Sequence, residues 1–371
     1  KDVPQSYMDE FEGMEAGGKS IGAEGVSLAI TRGITLGNMP GDGQDIIFVL
    51  LDEFRNSLKD VRKSALVPEM KKVFARAGHS CSMFSVWGSR TEGGELYSAR
   101  NLDWMTDLGI NEYKLLTVHH PPGGYAHVTV GYGGIWGALA GMSSQGLTVH
   151  EANLESKLDT YRGFPWLLRL REVMATSQNL AEARAVFEST NNTVGFNHMV
   201  GSAGDKSAIA METMAGYTAF FEANDPREAG AVDPYTGEVY GFPLPEALYR
   251  TNHGYDPVTQ DNYQWYGYGG YDDSKFRYKN MYESFSGYEA SGVKIGAAEA
   301  VIVTSAIGIK GDGTDESNCN PDLYIHGENI LSVTYEPASR TLYAAFEDKS
   351  GADWIPAACG AYVKIDMNQW L

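Results

Sequence analysis

The chain has 371 residues, of which 43% are hydrophobic and 21% charged, so it is long enough for one large globular domain or two ordinary ones. It carries 29 Lys and Arg residues against 48 Asp and Glu residues, a net charge of −19 that disfavours nucleic acid or an anionic membrane surface as a partner. No apolar run approaches the ~20 residues that cross a bilayer. The sequence therefore predicts no nucleic-acid partner and no membrane span, and it leaves homo-oligomer formation open.

Three cysteines, Cys81, Cys319 and Cys359, allow one disulfide bond and one free thiol. In an oxidising compartment the two late cysteines, Cys319 and Cys359, are the expected pair, whereas in a cytosol all three would stay reduced. No signal-peptide core follows Lys1, but an initiator Met is also missing, so an upstream signal could have been removed. Export to a periplasm, the extracellular space or a lysosome-like compartment is slightly favoured over the cytoplasm.

The first 80 residues are predicted to form a small helical unit. Residues 1–43 are rich in Gly, Ser and acidic residues, and we expect a loose lead-in with one strand at SLAITRGITLG. Apolar residues at helical spacing predict a helix over Asp45 to Ser64. A second helix is expected from Pro68, at its first turn, to Ala77, and Gly78 ends it.

From Cys81 onward the apolar period changes to two, which is typical of strands. Turns that contain Gly or Pro separate the segments, so we expect a run of antiparallel strands. The predicted strands are CSMFSVWG, ELYSARNLDW, KLLTVHHP, YAHVTVGY, GIWGALAGMS and GLTVHEANL.

The second half of the chain alternates between helices and strands in blocks, which predicts an α+β fold. Helices are expected at 166–175, 180–189, 274–285 and 297–306, short strands at 198–202, 208–213 and 217–221, and a closing hairpin at ILSVTYEPASRTLYAAFE. Residues 224–271 are predicted to be a long loop that either acts as a lid or pocket wall or is an inserted excursion. The acidic segment from Asp312 to Asp322 lacks the ligand spacing of a calcium loop. No metal and no cofactor are predicted.

Cys81 stands at the start of a predicted strand, where a cut before it would expose both its thiol and a new α-amino group. An α-amino group titrates near ~8, so it can serve as the base for its own side chain. Arg100 and Asp103, on the next antiparallel strand, could favour the thiolate and hold the protonated amine. The alternatives are that Cys81 is a small buried apolar residue and that Arg100 and Asp103 form a structural ion pair.

The sequence pattern of Cys81 followed by GxLYxxRNLDW resembles that of the N-terminal-nucleophile (Ntn) hydrolases with a cysteine nucleophile. That superfamily includes choloylglycine (bile-salt) hydrolase, penicillin V acylase, the isopenicillin N acyltransferase group and, more distantly, acid ceramidase-type amidases. The resemblance implies that Arg100 and Asp103 stand beside the nucleophile. It extends in order from Cys81 to Phe346, and residues 1–80 have a length that suits the propeptide or α-subunit of the acyltransferase group.

Three later segments carry the resemblance further. SSQGLTVHEANLE is similar to the strand that carries an oxyanion-hole asparagine, which implies that role for Asn153. ALYRTNHGYDP implies Asn252 as the second active-site asparagine, and DDSKFRY implies Arg277, or alternatively Lys275, as the last basic residue of the site. Without the resemblance, Asn153 would be read as an ordinary strand residue and Asn252 as an Asx-turn residue.

The resemblance implies a four-layer αββα sandwich, with a propeptide or α-subunit over residues 1–80 and a catalytic domain over residues 81–371. It implies an amidohydrolase that acts on linear small-molecule carboxamides through a Cys81 thioester, after autoproteolysis between Ser80 and Cys81. Hydrolysis is the default, because nothing in the sequence indicates that water is excluded. The alternatives are an acyltransferase that passes the acyl group to an amine and a catalytically silent ligand-binding member of the same fold.

Overall fold

The structure of the protein is a computed structural model. It describes residues 3–23, 27, 80–104, 110–154, 156–160, 162–233, 236–263, 270–308, 329–348 and 355–371.

One antiparallel sheet contains the strand that begins next to Cys81. Numbered along the chain, its strands in the described residues are β1 Ser80–Val86, β2 Tyr97–Asp103, β10 Ala247–Arg250, β11 Asn329–Glu336, β12 Thr341–Phe346 and β13 Val363–Asp366. These six strands lie in the order β10-β1-β2-β11-β12-β13. In the β1–β2 ladder Cys81 lies opposite Leu102 and Met83 opposite Arg100, so the predicted pairing of these strands is confirmed.

A second antiparallel sheet contains seven strands in the described part of the chain. They are β3 Lys114–His119, β4 His127–Tyr132, β5 Ala140–Ser143, β6 Leu147–Asn153, β7 Phe196–Ser202, β8 Ser207–Met214 and β9 Tyr217–Phe221. The sheet follows simple chain order from β3 to β9. Neighbouring strands in sequence are therefore neighbours in space, and only the connection from β6 to β7 is long, since residues 154–195 contain two helices.

Helices cover the outer face of each sheet. The described helices are α1 Gln5–Ser20, α2 Trp166–Thr176, α3 Leu180–Ser189, α4 Pro226–Ala229, α5 Pro257–Asp261, α6 Gly270–Ser291 and α7 Ala297–Gly308. Short 3-10 turns occupy Gly88–Arg90, Glu92–Gly94, Ile110–Glu112 and Ala357–Cys359. Helices α6 and α7 pack on the six-stranded sheet and α2 and α3 on the seven-stranded sheet, while β1 and β2 face β6. The predicted αββα layering is therefore confirmed.

The two sheets enclose the main core. Every residue of β2 and β6 is buried, because one face of each strand meets the other sheet and the opposite face meets a helical layer. The sheets are also joined by hydroxyl groups: Ser98 Oγ on β2 lies 2.7 Å from Ser85 Oγ and accepts a 3.0 Å hydrogen bond from Thr148 on β6. This arrangement fixes β1, and with it Cys81, against the seven-stranded sheet.

The expected loose lead-in is wrong where the structure describes it, because Gln5–Ser20 forms helix α1. Its glycines disfavour a helix, but tertiary packing overrides that preference: Tyr7 and Phe11 are buried with Phe164 and Leu168 in a second, smaller apolar cluster. The predicted helices at 45–64 and 68–77 lie outside the described residues.

The predicted long loop over 224–271 is also wrong in part, because it contains α4, β10 and α5. Strand β10 pairs with β1, placing Arg250 opposite Met83. None of the helices in the described ranges is long and apolar enough to cross a membrane. Cys81 is a free thiol and Cys359 is disulfide-bonded, but Cys319 lies outside the described residues, so its pairing stays a prediction.

Candidate active site

The candidate site is centred on Cys81, the second residue of β1, which is 3% exposed. Its backbone nitrogen donates a 2.7 Å hydrogen bond to Asn252 Oδ1, and its Sγ accepts a hydrogen bond from Arg100 Nη2 at 3.5 Å. Burial raises the pKa of the thiol to about 12, although the positive charge of Arg100 opposes that rise. With Cys81 in peptide linkage to Ser80, the thiol is therefore protonated at neutral pH.

Arg100 is held by Glu151, a residue that the sequence analysis did not single out. The Nε of Arg100 donates to the Glu151 backbone carbonyl oxygen at 3.0 Å, and its Nη2 forms an ion pair with the Glu151 carboxylate. Both side chains are buried, so each charge compensates the other in a place where an unpaired charge would be costly. The signal that could have revealed Glu151 is a carboxylate inside GLTVHEANL, a strand segment with few charges.

Asp103 ends β2, where it lies in register with Ser80 on β1 and Asn329 on β11. Its Oδ1 accepts a 2.9 Å hydrogen bond from Asn329 Nδ2. Burial is the largest cause of the raised pKa of the Cys81 thiol, and the negative charges of Glu151 and Asp103 raise it further. Asp103 therefore lies close enough to act on Cys81 electrostatically, next to the bond that joins Ser80 to Cys81.

Asn252 connects the two sheets at this point. While its Oδ1 accepts from Cys81, its Nδ2 donates to the backbone carbonyl oxygen of Asn153 at 2.9 Å, and its own backbone nitrogen donates to Ser274 Oγ at 2.8 Å. Asn153 is the last residue of β6. The amide of Asn252 thus makes tertiary hydrogen bonds rather than the local bonds of an Asx turn.

The segment that carries Asn252 is anchored by Glu212 of β8. The buried carboxylate of Glu212 accepts hydrogen bonds from the backbone nitrogens of Tyr255 at 2.7 Å and Asp256 at 3.0 Å, and from the hydroxyl of Thr259. A Cβ at position 254 would lie only 2.8 Å from Glu212 Oε2. Glycine at 254 therefore allows the chain to approach this anchor.

His253 braces the same segment from inside. Its Nδ1 lies 2.8 Å from Ser274 Oγ, the group that receives the Asn252 backbone N–H, and its Nε2 lies 2.8 Å from the hydroxyl of Tyr255. Burial, followed by the charges of Arg277 and other nearby cations, holds the pKa of His253 well below its usual value. The imidazole is therefore neutral, and its hydrogen-bonding contacts with Ser274 and Tyr255 hold the segment in place.

Arg277 of α6 reaches the site from the helical layer. Its Nη1 donates to the backbone carbonyl oxygen of Cys81 and, at 2.9 Å, to Ser82 Oγ, while its Nη2 donates to Asn252 Oδ1 at 3.0 Å. Burial opposes the charge of the guanidinium, but Asp273, at 2.9 Å, contributes to a pKa of Arg277 that is higher than usual. Arg277 is thus a permanent cation that holds both Cys81 and Asn252.

The alternative basic residue, Lys275, points elsewhere. Its Nζ lies 2.6 Å from Asp233 Oδ2. The geometry therefore favours Arg277 as the last basic residue of the site.

The structure brings the predicted residues Cys81, Arg100, Asn252 and Arg277 into direct contact, with Asn153 and Asp103 at their edge. One residue presents both a thiol and a backbone nitrogen to polar partners, which suits a nucleophile that is to acquire its own α-amino base. Among the residues that the structure describes, no three His, Cys, Asp or Glu side chains are arranged to hold a metal ion. The catalytic roles of the six residues remain predictions.

The four-layer arrangement of two antiparallel sheets between helices is that of the Ntn hydrolases. The family model described as acyl-coenzyme A:6-aminopenicillanic acid acyl-transferase matches residues 89–350, which is more than half of the chain. The chain belongs to this family and, with it, to the Ntn hydrolase superfamily. The match includes Arg100, Asp103, Asn153, Asn252 and Arg277, whereas Cys81 precedes it.

Solved structures with a similar arrangement include the N-acylethanolamine-hydrolyzing acid amidase ortholog of Caenorhabditis elegans, with 13% identity, a TM-score of 0.44 and coverage of 69% of this chain and 93% of that chain. A mutant of conjugated bile acid hydrolase from Clostridium perfringens is 13% identical, with a TM-score of 0.45 and coverage of 78% of this chain and 93% of that chain. Penicillin V acylase from Agrobacterium tumefaciens is 14% identical, with a TM-score of 0.39 and coverage of 78% of this chain and 92% of that chain. A search of curated proteins found no match.

The family and its superfamily consist of amide hydrolases and acyltransferases. The chain is accordingly an enzyme of that general class.

Proposed function

We propose that the protein is an amidohydrolase that acts on linear carboxamides through a thioester on Cys81, after autoproteolysis of the Ser80–Cys81 bond. The observation that carries this proposal is that both reactive groups of Cys81 have dedicated partners. Asn252 Oδ1 holds the backbone nitrogen at 2.7 Å, and Arg100 Nη2 lies 3.5 Å from Sγ. A buried structural cysteine needs neither of these contacts.

Processing would begin with attack of the Cys81 sulfur on the carbonyl carbon of Ser80. The C–N bond breaks as the thiol proton passes to the departing nitrogen, which gives a thioester to Ser80 and a free α-amino group on Cys81. Water then hydrolyses the thioester, so that Ser80 becomes a C-terminal carboxylate and Cys81 regains its thiol. The Asn252 and Arg277 contacts support this step, because they fix the nitrogen and the carbonyl oxygen of Cys81.

In turnover the new α-amino group would take the thiol proton while the sulfur attacks the carboxamide carbon. The side-chain amide of Asn153, with a backbone N–H, would stabilise the oxyanion, a donor role worth ~3–4 kcal/mol in comparable enzymes. The ammonium group then gives its proton to the departing amine, which leaves a thioester. Water attacks that thioester in the second half-reaction and releases the acid.

We also propose that residues 1–80 become an α-subunit and residues 81–371 the catalytic chain. Helix α1 supports this division because its contacts could hold the two pieces together without the peptide bond. Arg171 forms an ion pair with Glu10 at 3.0 Å, and Tyr7 donates a 3.0 Å hydrogen bond to Glu172. Phe11 packs against Trp136 with ring centroids 5.9 Å apart.

Acyl transfer to an amine is the second candidate, and the family match favours it. The family description names an acyl-coenzyme A donor and 6-aminopenicillanic acid as acceptor. Both candidates share the Cys81 thioester and differ only in whether water or an amine takes the acyl group.

The test is to incubate the protein with N-acyl amino acids, penicillin V and bile-salt conjugates, with and without an acceptor amine, and to quantify the products. The acceptor is 6-aminopenicillanic acid for every donor except penicillin V, which releases that same amine and is given a different one. Hydrolysis predicts free acid as the main product even with the amine present, whereas acyl transfer predicts a new amide at its expense. Cys81→Ala should form neither product. Processed, folded protein that turns over no member of the panel would contradict the proposal.

A further inference from the structure

A second buried polar cluster lies on the outer side of the seven-stranded sheet, between α2, α3 and β7. It consists of Trp166 and Arg169 on α2 and His198 on β7, and we call these three residues the donor cluster. Their exposed fractions are 4%, 1% and 0%. Trp166 and Arg169 are three residues apart and so lie on the same side of the helix.

Aromatic rings enclose the donor cluster. The Cζ atom of Arg169 lies 4.5 Å from the centroid of the Phe187 ring on α3, and the His198 ring centroid lies 5.3 Å from the same ring. Trp166 stacks on Phe196 with ring centroids 4.3 Å apart and lies 6.5 Å from His198. Phe187 therefore lies beside both Arg169 and His198, so the polar side chains of the cluster are neighbours in a layer rich in aromatic rings.

The donor cluster has an excess of hydrogen-bond donors. Within the described residues, the three side-chain nitrogens of Arg169, both ring nitrogens of His198 and Nε1 of Trp166 have no hydrogen-bond partner. Arginine carries five N–H donors and no acceptor, tryptophan carries one donor and no acceptor, and a neutral histidine adds one donor and one acceptor, so donors outnumber acceptors. Native proteins rarely leave so many buried donors unsatisfied.

Within the described residues the charge of the cluster forms no ion pair and makes only the cation–π contact with Phe187. Burial lowers the pKa of Arg169 to about 9, so the guanidinium is still charged at neutral pH. Burial, and then the charge of Arg169, lowers the pKa of His198 well below its usual value, so His198 is neutral. Glu151 is the cross-strand neighbour of His198, but its carboxylate is paired with Arg100. A cation–π contact offsets only part of the cost of a buried charge that has no ion-pair partner.

We propose that the donor cluster binds one small inorganic anion of the halide class. Such an ion accepts several N–H bonds at once and neutralises the single charge of Arg169, whereas a water molecule would satisfy donors without supplying charge. The enclosing rings of Phe187 and Phe196 favour a compact, weakly hydrated ion over a phosphate or an organic carboxylate.

The position of the cluster suggests a structural role close to the candidate active site. Strand β7 pairs with β6, placing His198 opposite Glu151 and Phe196 opposite Asn153. A bound anion would therefore stabilise the layer behind the strand that carries Asn153. This inference does not depend on the proposed function, because it requires no reaction at Cys81.

The direct test is a crystal structure of the full chain grown in sodium bromide, with anomalous data collected at the bromine absorption edge. We expect an anomalous peak within about 3.5 Å of an Arg169 side-chain nitrogen, slightly beyond the range of ordinary N–H···O bonds because bromide is larger than oxygen. Density for water without anomalous signal at that position, or a protein carboxylate paired with Arg169, would overturn the proposal.

Thermal unfolding gives an independent measurement. Halide-free protein is titrated with bromide at constant ionic strength, using a bulky organic sulfonate as the balancing anion. Above the dissociation constant, each tenfold rise in bromide should raise Tm by about 2 °C. Arg169→Met should lose this dependence, while Arg171→Met should retain it because Arg171 is paired with Glu10. If Arg169→Met does not fold, the parent protein still tests the proposal. A parent whose Tm does not depend on bromide and whose crystals show no anomalous peak near Arg169 would contradict it.

Discussion

Asn252 accepts the backbone N–H of Cys81 at 2.7 Å, so the nitrogen that would become the catalytic base is already held in place before the chain is cut. The same side chain donates to the backbone of Asn153 at 2.9 Å. A single amide therefore sets the spacing between the sheet that carries the proposed nucleophile and the strand that carries the proposed oxyanion donor.

Asn252→Ala is expected to slow both processing and turnover, because it removes the acceptor for the Cys81 nitrogen and the bond to β6 together. We expect kcat of the processed enzyme to fall by about 10²–10³, the range measured for loss of one active-site amide donor. Processing is followed on denaturing gels and turnover with the best amide of the panel. Asn262→Ala is the matched control, since the side chain of Asn262 donates an exposed 2.9 Å hydrogen bond to the Val258 carbonyl oxygen, and it should leave both rates unchanged. If Asn252→Ala were as active as that control, Asn252 would not be a residue of the active site.

Arg277→Lys tests whether the shape of the guanidinium matters as well as its charge. A lysine keeps the charge but cannot hold the Cys81 carbonyl, Ser82 and Asn252 at once from a planar fork. We expect kcat to fall by about 10²-fold with a small change in Tm. Lys275→Met should keep normal turnover, although it breaks the ion pair with Asp233. The reverse pattern of losses would assign the role to Lys275.

Glu151→Gln is expected to weaken the fold and change the thiol together. Removing one charge of a buried ion pair costs about 3 kcal/mol in unfolding free energy, measured by urea denaturation. Because the charge of Glu151 adds to the raised pKa of Cys81, its loss should also shift the pH profile of Cys81 alkylation to lower pH. Glu188→Gln removes an exposed pair with Arg184 and should cost less than about 0.5 kcal/mol with no shift in the profile. A stability loss without that shift would mean that Glu151 is only structural.

The reactivity of Cys81 should depend on processing. In the unprocessed chain the pKa of the thiol is raised from 9.0 to about 12, so its thiolate population at pH 8 is about a thousandfold below that of an ordinary cysteine. We expect slow iodoacetamide labelling that increases as pH approaches 12, and much faster labelling near neutral pH once the chain begins at Cys81. Peptide mass spectrometry of the two forms measures both rates, and equal rates would contradict self-activation by the α-amino group.

The same shift determines how stability depends on pH. The folded state favours the neutral thiol, so the contribution of Cys81 to the unfolding free energy is complete below pH 9 and is lost as pH rises toward 12. Over that interval unprocessed protein should lose stability relative to Cys81→Ala in urea denaturation.

The sequence was sufficient to predict β1 and β2 and therefore the proximity of Cys81 to Arg100, because a period of two and a short connection define an antiparallel pair. Asn153, Asn252 and Arg277 could be placed near Cys81 only through the family resemblance, since their separation in sequence contains no geometric information.

Two features could not be read from the sequence. Strand β10 has only four residues in a segment rich in Pro, Gly and Tyr. It forms because its backbone pairs with the edge of β1. Helix α1 contains glycines that oppose a helix, and it is stabilised by the burial of Tyr7 and Phe11 against the rest of the protein. Both depend on tertiary contacts, which local propensity does not encode.

The most direct test of the central claim is intact-mass spectrometry of the parent protein and of Cys81→Ala before and after incubation with the amide panel. The account predicts that the parent separates into two fragments, one of which begins at Cys81, and that this fragment transiently gains the mass of the acyl group while Cys81→Ala stays whole and unmodified. A folded parent that keeps its full mass and gains no acyl group from any amide would contradict the claim that Cys81 is an N-terminal nucleophile.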